Sequence, residues 1–376
     1  MKKRIVTYIT IAMSLVACTT DDGDQQQQGQ QTVALAAPVE EWHCGTTATR
    51  APSFNDFNQN YPVTGKTPTT ISVWGYNDSG WMKNAANPPE PLQNVEFTYE
   101  AEGDKLYHKG TWNQSTEQAG GGAYPWGNGG TYSFYAVAPY NDNSATDFDK
   151  ATQTLTLPFD AVGKTDYMVA KEIKSHATKT DGAVVKFTQT DYQFKHITAC
   201  IQLAFALDSR YAKNRYLNIK TVKATVGGVG GQATYTYNLN NKSESLSGGE
   251  MTNTEPLPLT TTEEPWYIGD NPNMHVSDKY HAYGHFYVME RYCDEAPIKL
   301  EVEYDVYDLN GMMTRKGVTT TSTVTLGNYV TTIREGKKCL KAGYYYNVLI
   351  YIIPDYLYVL SDNDNGSDTV IKIETR

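Results

Sequence analysis

Cysteine is scarce in this chain, with five in 376 residues. Beyond Cys18, the remaining Cys44, Cys200, Cys293 and Cys339 are too scattered for a CxxC motif, a zinc-ligand spacing or a disulfide framework. A chain this long buries enough core to hold together without staples. Whether any of the four thiols pair in an oxidising compartment is left open by their spacing. Excess positive charge is also missing: the formal net charge is -10 and the isoelectric point is near 5.2. This argues against nucleic acid as a partner and against docking on anionic lipid through basic patches. No segment after residue 17 is apolar for the roughly 20 residues that a membrane-spanning helix needs. Helical periodicity is absent too, and no amphipathic helix of ordinary length stands out.

Signatures of catalysis are likewise missing. The glycines at Gly227-Gly228-Val229-Gly230-Gly231 lack the strand-to-helix context of a phosphate loop, and there is no GxSxG elbow or Cys-His nucleophile signature. His281 and His285, with His275 nearby, would share a face in a strand but lie about 13 Å apart, too far for one metal ion. Asp362-Asn363-Asp364-Asn365-Gly366-Ser367-Asp368 resembles a calcium loop, but Gly366 falls where a ligand belongs and the bidentate glutamate is missing. We therefore expect no enzyme activity, no metal and no cofactor.

What is present begins at the N-terminus. Lys2, Lys3 and Arg4 precede an apolar stretch from Ile5 to Val16, which reads as a secretory signal peptide over residues 1–17. Leu15-Val16-Ala17-Cys18 resembles the bacterial lipobox, which implies lipid acylation at Cys18 and cleavage just before it. The following Thr19-Thr20-Asp21-Asp22-Gly23-Asp24 is similar to the acidic tract that sends some Bacteroidales lipoproteins to the outer face of the outer membrane. Residues 18–50 are rich in Gln, Asp, Thr and Ala, with a run from Gln25 to Gln28. They read as a tether or propeptide, within which Thr32 to Ala36 could form one short strand.

From Ala51 onward, short apolar or alternating runs are separated by Gly, Asn, Asp and Pro, a spacing expected of β-sandwiches. The 29 tyrosines, 30 glycines and 6 tryptophans favour strands and turns. Expected strands are Ile71–Tyr76, Val95–Tyr99, Tyr132–Ala138, Leu155–Phe159 and Tyr167–Ala170. Further on, Ile197 to Leu207 alternates so that Ile197, Ala199, Ile201, Leu203, Phe205 and Leu207 share a core face, while His196, Thr198, Cys200 and Gln202 share a less covered one. Apolar parity switches near Lys220-Thr221, as a β-bulge would produce. Ile298 to Val306 alternates with a solvent face, and Tyr344 to Ile353 is apolar on both faces, as a central or partner-covered strand would be. The polar stretch Lys174 to Gly182 is the best boundary. The expected architecture is all-β, with two tandem β-sandwich domains at 51–176 and 177–376.

Several segments together resemble the fimbrillin family, the subunits of Bacteroidales fimbriae, and especially its minor-fimbrillin-like branch. They are Ile71-Ser72-Val73-Trp74-Gly75-Tyr76, Tyr124-Pro125-Trp126, Tyr132 through Tyr140, Asp166-Tyr167-Met168-Val169-Ala170, Val185-Lys186-Phe187, Phe194 through Ala199, and Leu340 through Tyr346. The resemblance implies two transthyretin-like (immunoglobulin-like) sandwiches, export as an outer-membrane lipoprotein and assembly with other subunits into a surface fimbria, with a host or bacterial surface receptor as a further partner. It also implies arginine-specific cleavage ahead of the first domain, for which Arg50 and Ala51 are the candidates. The vacated groove would then take a strand from the next subunit, and Val370, Ile371 and Ile373 form the candidate donor strand. The alternative is a monomeric surface glycan-binding lipoprotein, in which Trp74, Trp81, Trp112, Trp126 or Trp266 would stack on sugars.

Overall fold

The computed structural model describes residues 33–35, 43–44, 70–84, 88–102, 105–113, 124–127, 130–176, 184–185, 194–238, 240–250, 255–259, 265–269, 281–328, 330–353 and 370–374. The described chain is nearly all strand. Its helices are the single turn Ser209–Ala212 and the 3-10 turn Leu326–Asn328.

The first sheet is antiparallel, in the order Phe194–His196, Met168–His176, Thr131–Ala138, Thr70–Asn77, Val95–Glu102, Lys105–Asn113. Thr131–Ala138 reads Thr-Tyr-Ser-Phe-Tyr-Ala-Val-Ala, and all but its first residue are buried. Such a strand needs cover on both faces. On one face Trp74, Tyr76, Tyr135, Val137 and Val169 pack against Phe148, Leu155, Leu157, Phe159 and Tyr235. Tyr135 and Phe148 stack there with ring centroids 4.1 Å apart. The covering residues belong to a four-stranded sheet, ordered Ser243–Gly248, Gln232–Asn238, Thr154–Asp160, Asp147–Asp149. Gly75 sits where the first sheet is crowded: a Cβ there would lie 2.6 Å from Leu92 Cδ2 and 2.9 Å from Phe134 Cε1.

Most of the remaining strands form a second pair of layers. One sheet is built on Thr198–Leu207, with His281–Met289 antiparallel on one side and Tyr344–Ile353 parallel on the other. The facing sheet pairs Arg215–Val226 with Ile298–Asp308, which in turn pairs with Met313–Val324. Between them lie Ile201, Leu203, Phe205, Leu217, Ile219, Leu300, Val302, Tyr304, Val348 and Ile350. The register shift between Ile219 and Thr221 is the bulge that the parity change required.

Strand pairing crosses the expected cut at residues 176/177. The first sheet continues to Phe194–His196, and Thr154–Asp160 pairs with Gln232–Asn238 over its whole length, from Thr154 opposite Asn238 to Asp160 opposite Gln232. One apolar cluster runs from Trp74 through Phe159 to Ile350.

Two expectations are corrected. All ten residues of Thr198–Leu207 are buried, including the face expected to be half-covered: Cys200 packs with Tyr287 and Tyr345 from the flanking strands. Asp305, placed on a solvent face by alternation, is 3 % exposed and accepts a hydrogen bond from the Gly317 amide at 2.8 Å, which satisfies a carboxylate that burial would otherwise penalise.

The thiols follow from the packing. Cys200, Cys293 and Cys339 are free and buried. Burial raises the Cys200 thiol well above its ordinary range, the nearby Asp166 adding to it, and pushes Cys293 up to about 12. The thiolate is the reactive form. In native protein near pH 8 these three cysteines are expected to resist iodoacetamide, and in guanidinium all three react. Peptide mass spectrometry reads the difference, and rapid native alkylation of any of them would contradict the buried placement.

Candidate functional site

The second face of the first sheet has an unusual cover. Ile71, Val73, Phe97, Tyr99, Phe134, Ala136, Met168 and Ala170 point into a core shared with Tyr124, Trp126, Phe194, Val185, Val33 and Leu35. The lid over this core is a two-stranded parallel sheet in which Ala34 pairs with Val184 and Leu35 with Val185. Val33 donates its amide to the carbonyl of Tyr124 at 2.8 Å. Val33 is 4 % exposed and Leu35 fully buried. A segment that composition marks as a tether therefore contributes core side chains. Alternation explains the geometry: Val33 and Leu35 share one face of a short strand and leave Ala34 half-buried.

Both described stretches ahead of residue 50 are paired. His43–Cys44 runs parallel to Tyr344–Tyr345 at the edge of the second pair of layers. That edge is shared with Val370–Glu374, which lies antiparallel to Leu349–Ile353, Ile371 opposite Ile352 and Ile373 opposite Ile350. The candidate donor strand is thus seated on its own chain. Cys18, Arg50 and Ala51 lie outside the described residues, as does the Asp362–Asp368 turn.

Trp74, Trp126 and Trp266 are buried, and Trp81 and Trp112 are partly buried against the two cores. Trp81 and Trp112 keep part of their surface exposed. His281 begins a strand that runs to Met289, and no cluster of three or more His, Cys, Asp or Glu suited to a metal occurs among the described residues. What sequence reasoning missed is a side-chain contact across the chain: His196 Nδ1 lies 2.8 Å and 3.0 Å from the two Asp166 carboxylate oxygens, with Thr198 Oγ1 donating at 3.5 Å. These residues sit 30 and 32 positions from Asp166, so no local spacing announces them. They pin the turn before Met168 to the end of the first sheet.

The architecture defines a layered β-protein in which an N-terminal strand closes the core of the first sheet. The chain belongs to the fimbrillin-like family, whose model matches residues 49–372. No curated protein matches it. Among solved structures, it is similar to a candidate cell adhesion protein from Bacteroides fragilis NCTC 9343, at 11% identity with a TM-score of 0.46, covering 92% of this chain and 97% of that one. It is also similar to a fimbrial protein from Bacteroides vulgatus ATCC 8482, at 14% identity with a TM-score of 0.35, covering 75% and 87%.

Proposed function

We propose that this protein is a structural and adhesive subunit of a surface fimbria and not an enzyme. On this reading it is exported as an outer-membrane lipoprotein through Cys18, cut between Arg50 and Ala51, and polymerised with other subunits by strand exchange. The observation that carries the reading is the burial of Val33 and Leu35 in the core of the first sheet, upstream of Arg50. A cut after Arg50 severs that closing strand from the body it completes. Once it leaves, the vacated lid exposes apolar side chains together with the backbone of Val184–Val185, and an incoming strand satisfies both at once. Family membership supports association with like subunits. The C-terminal strand Val370–Glu374 is the proposed donor. In the unassembled chain it rests on Leu349–Ile353, which keeps it from pairing indiscriminately.

The test is the N-terminal residue and intact mass of the protein in material sheared from cells that make it. High-molecular-weight material beginning at Ala51 is the expected result. A lipidated Cys18 start, found only in membranes, would overturn processing and strand exchange together.

A further inference from the structure

We propose that a cleft at the junction of the layers binds a carboxylate-bearing saccharide chain. The cleft, of about 690 Å³, lies between the edge strands Phe194–His196 and Ser243–Gly248 and the turn 341–344. Its volume is that of a ligand site. The protein carries a net charge of -10, yet the cleft wall holds Lys195, Arg291, Arg334 and Lys341 against Glu244 and Glu290. With Arg291 and Arg334 offset by carboxylate partners, Lys195 and Lys341 still outnumber Glu244 in the wall, and such an excess of cation in a recess favours anions.

The charges in the wall are not equally committed. Glu290 accepts from Arg334 at 2.8 Å and from the Ala342 amide at 3.2 Å, so its carboxylate is spent on holding the wall. Arg291 faces Glu250 at 3.1 Å and Glu295 at 4.0 Å. Among the described residues, neither Lys195 nor Lys341 has a carboxylate within ion-pair distance. Both are exposed. Lys341 Nζ instead rests 5.3 Å from the centre of the Tyr344 ring, a contact that orients the ammonium and leaves its N–H groups for a ligand. The turn beneath is fixed, because the Gly343 amide donates to Thr198 at 2.9 Å and the Lys341 amide to Tyr346 Oη at 2.8 Å. An arrangement held in place before the ligand arrives loses little entropy on binding.

The chemistry chooses the ligand class. An open recess walled by charged groups rewards a hydrated polar chain over a lipid or an apolar peptide, and two ammonium groups from separate elements, neither ion-paired among the described residues, suit carboxylates spaced along a polymer. Uronic acid repeats and terminal sialic acid both supply that group. The site is independent of whether Arg50 is cut.

Calorimetry on the purified chain with a galacturonic acid hexamer, sialyllactose, maltohexaose and a polyglutamate peptide tests the proposal. The expected result is binding of the hexamer or of sialyllactose, weakened by salt, with none by neutral maltohexaose. Whichever acidic sugar binds more tightly identifies the source of the carboxylate. The double variant K195Q/K341Q is expected to weaken binding by about tenfold or more, while K299Q/K316Q, which removes two exposed lysines away from the cleft, leaves it unchanged. Equal loss in both variants, equal binding of maltohexaose, tighter binding of polyglutamate, or no binding of either acidic sugar would each overturn the proposal. All four lysines are exposed, so a thermal melt matching the wild type certifies the variants as folded.

Discussion

Leu35→Asp is expected to open the first sheet's core without unfolding the protein. Leu35 is fully buried among Val33, Val185, Tyr124 and the first sheet's inner face. Losing its burial removes about 1.5–3 kcal/mol, and an unpaired carboxylate at that position adds more. Two-state reasoning would assign the sum, roughly 3–5 kcal/mol, to global stability. The topology caps that figure. Val33–Leu35 is held by the two-residue ladder with Val184–Val185 and by one hydrogen bond from the Val33 amide to the Tyr124 carbonyl, so the segment can undock while the rest of the first sheet keeps its hydrogen bonds. The carboxylate then escapes to water and the protein forfeits only the docking energy of the segment. The signature is increased binding of a hydrophobic dye and faster trypsin cleavage in the residues around Arg50, with a smaller fall in Tm than burial of Leu35 alone suggests.

A second chain separates docking from unrelated damage. In protein that begins at Ala51 there is no Leu35, so wild-type and Leu35→Asp precursors become identical after complete cleavage and release of the segment. Any difference surviving that treatment would show that the closing strand stays bound after cutting. Leu35→Ala tests the same step in a milder way. It keeps the strand apolar and should undock less often, giving dye binding between the wild type and the aspartate variant.

The strands were legible where local pattern decides them. Thr70–Asn77, Thr131–Ala138 and Thr154–Asp160 announce themselves by β-branched and aromatic residues between turn formers, and the bulge at Ile219–Thr221 by a parity change. Ser243–Gly248 was not legible: it is almost wholly exposed, and a strand with neither face buried has no alternation to read. The same holds for Met313–Val324, where most side chains face water. Layer assignment was also hidden. The pairing of Thr154–Asp160 with Gln232–Asn238 joins edges some 80 residues apart, and local composition carries no record of which edges meet. At the candidate site, a short strand was legible over Thr32 to Ala36, but only the fold shows Val33 and Leu35 inside a core. The junction cleft was invisible, because Lys195, Arg291, Arg334 and Lys341 come from four separate elements.

Truncation after Thr369 is expected to give a subunit that folds, joins a fibre and stops its growth. The strand Tyr344–Ile353 is buried on both faces over most of its length, and its outer edge is covered by Val370–Glu374 along Leu349–Ile353. Removing that cover loses a ladder of a few hydrogen bonds, each contributing about 0.5–1.5 kcal/mol. It leaves an apolar edge strand, a recognised aggregation hazard, so stability should fall by about 2–5 kcal/mol while the sheets built on Thr131–Ala138 and Ile298–Asp308 persist. The decisive consequence is asymmetric. A subunit that polymerises by strand exchange both accepts and donates, and this truncation removes only donation. Mixed with wild-type subunits after processing at Arg50, the truncated chain should therefore occupy an end and terminate it, so that mean fibre length in electron micrographs shortens as its fraction rises. If Val370–Glu374 only closes its own sheet, the truncated chain has no reason to shorten fibres made by intact subunits, and lengths unchanged at equal proportions would assign the donor to another part of the chain.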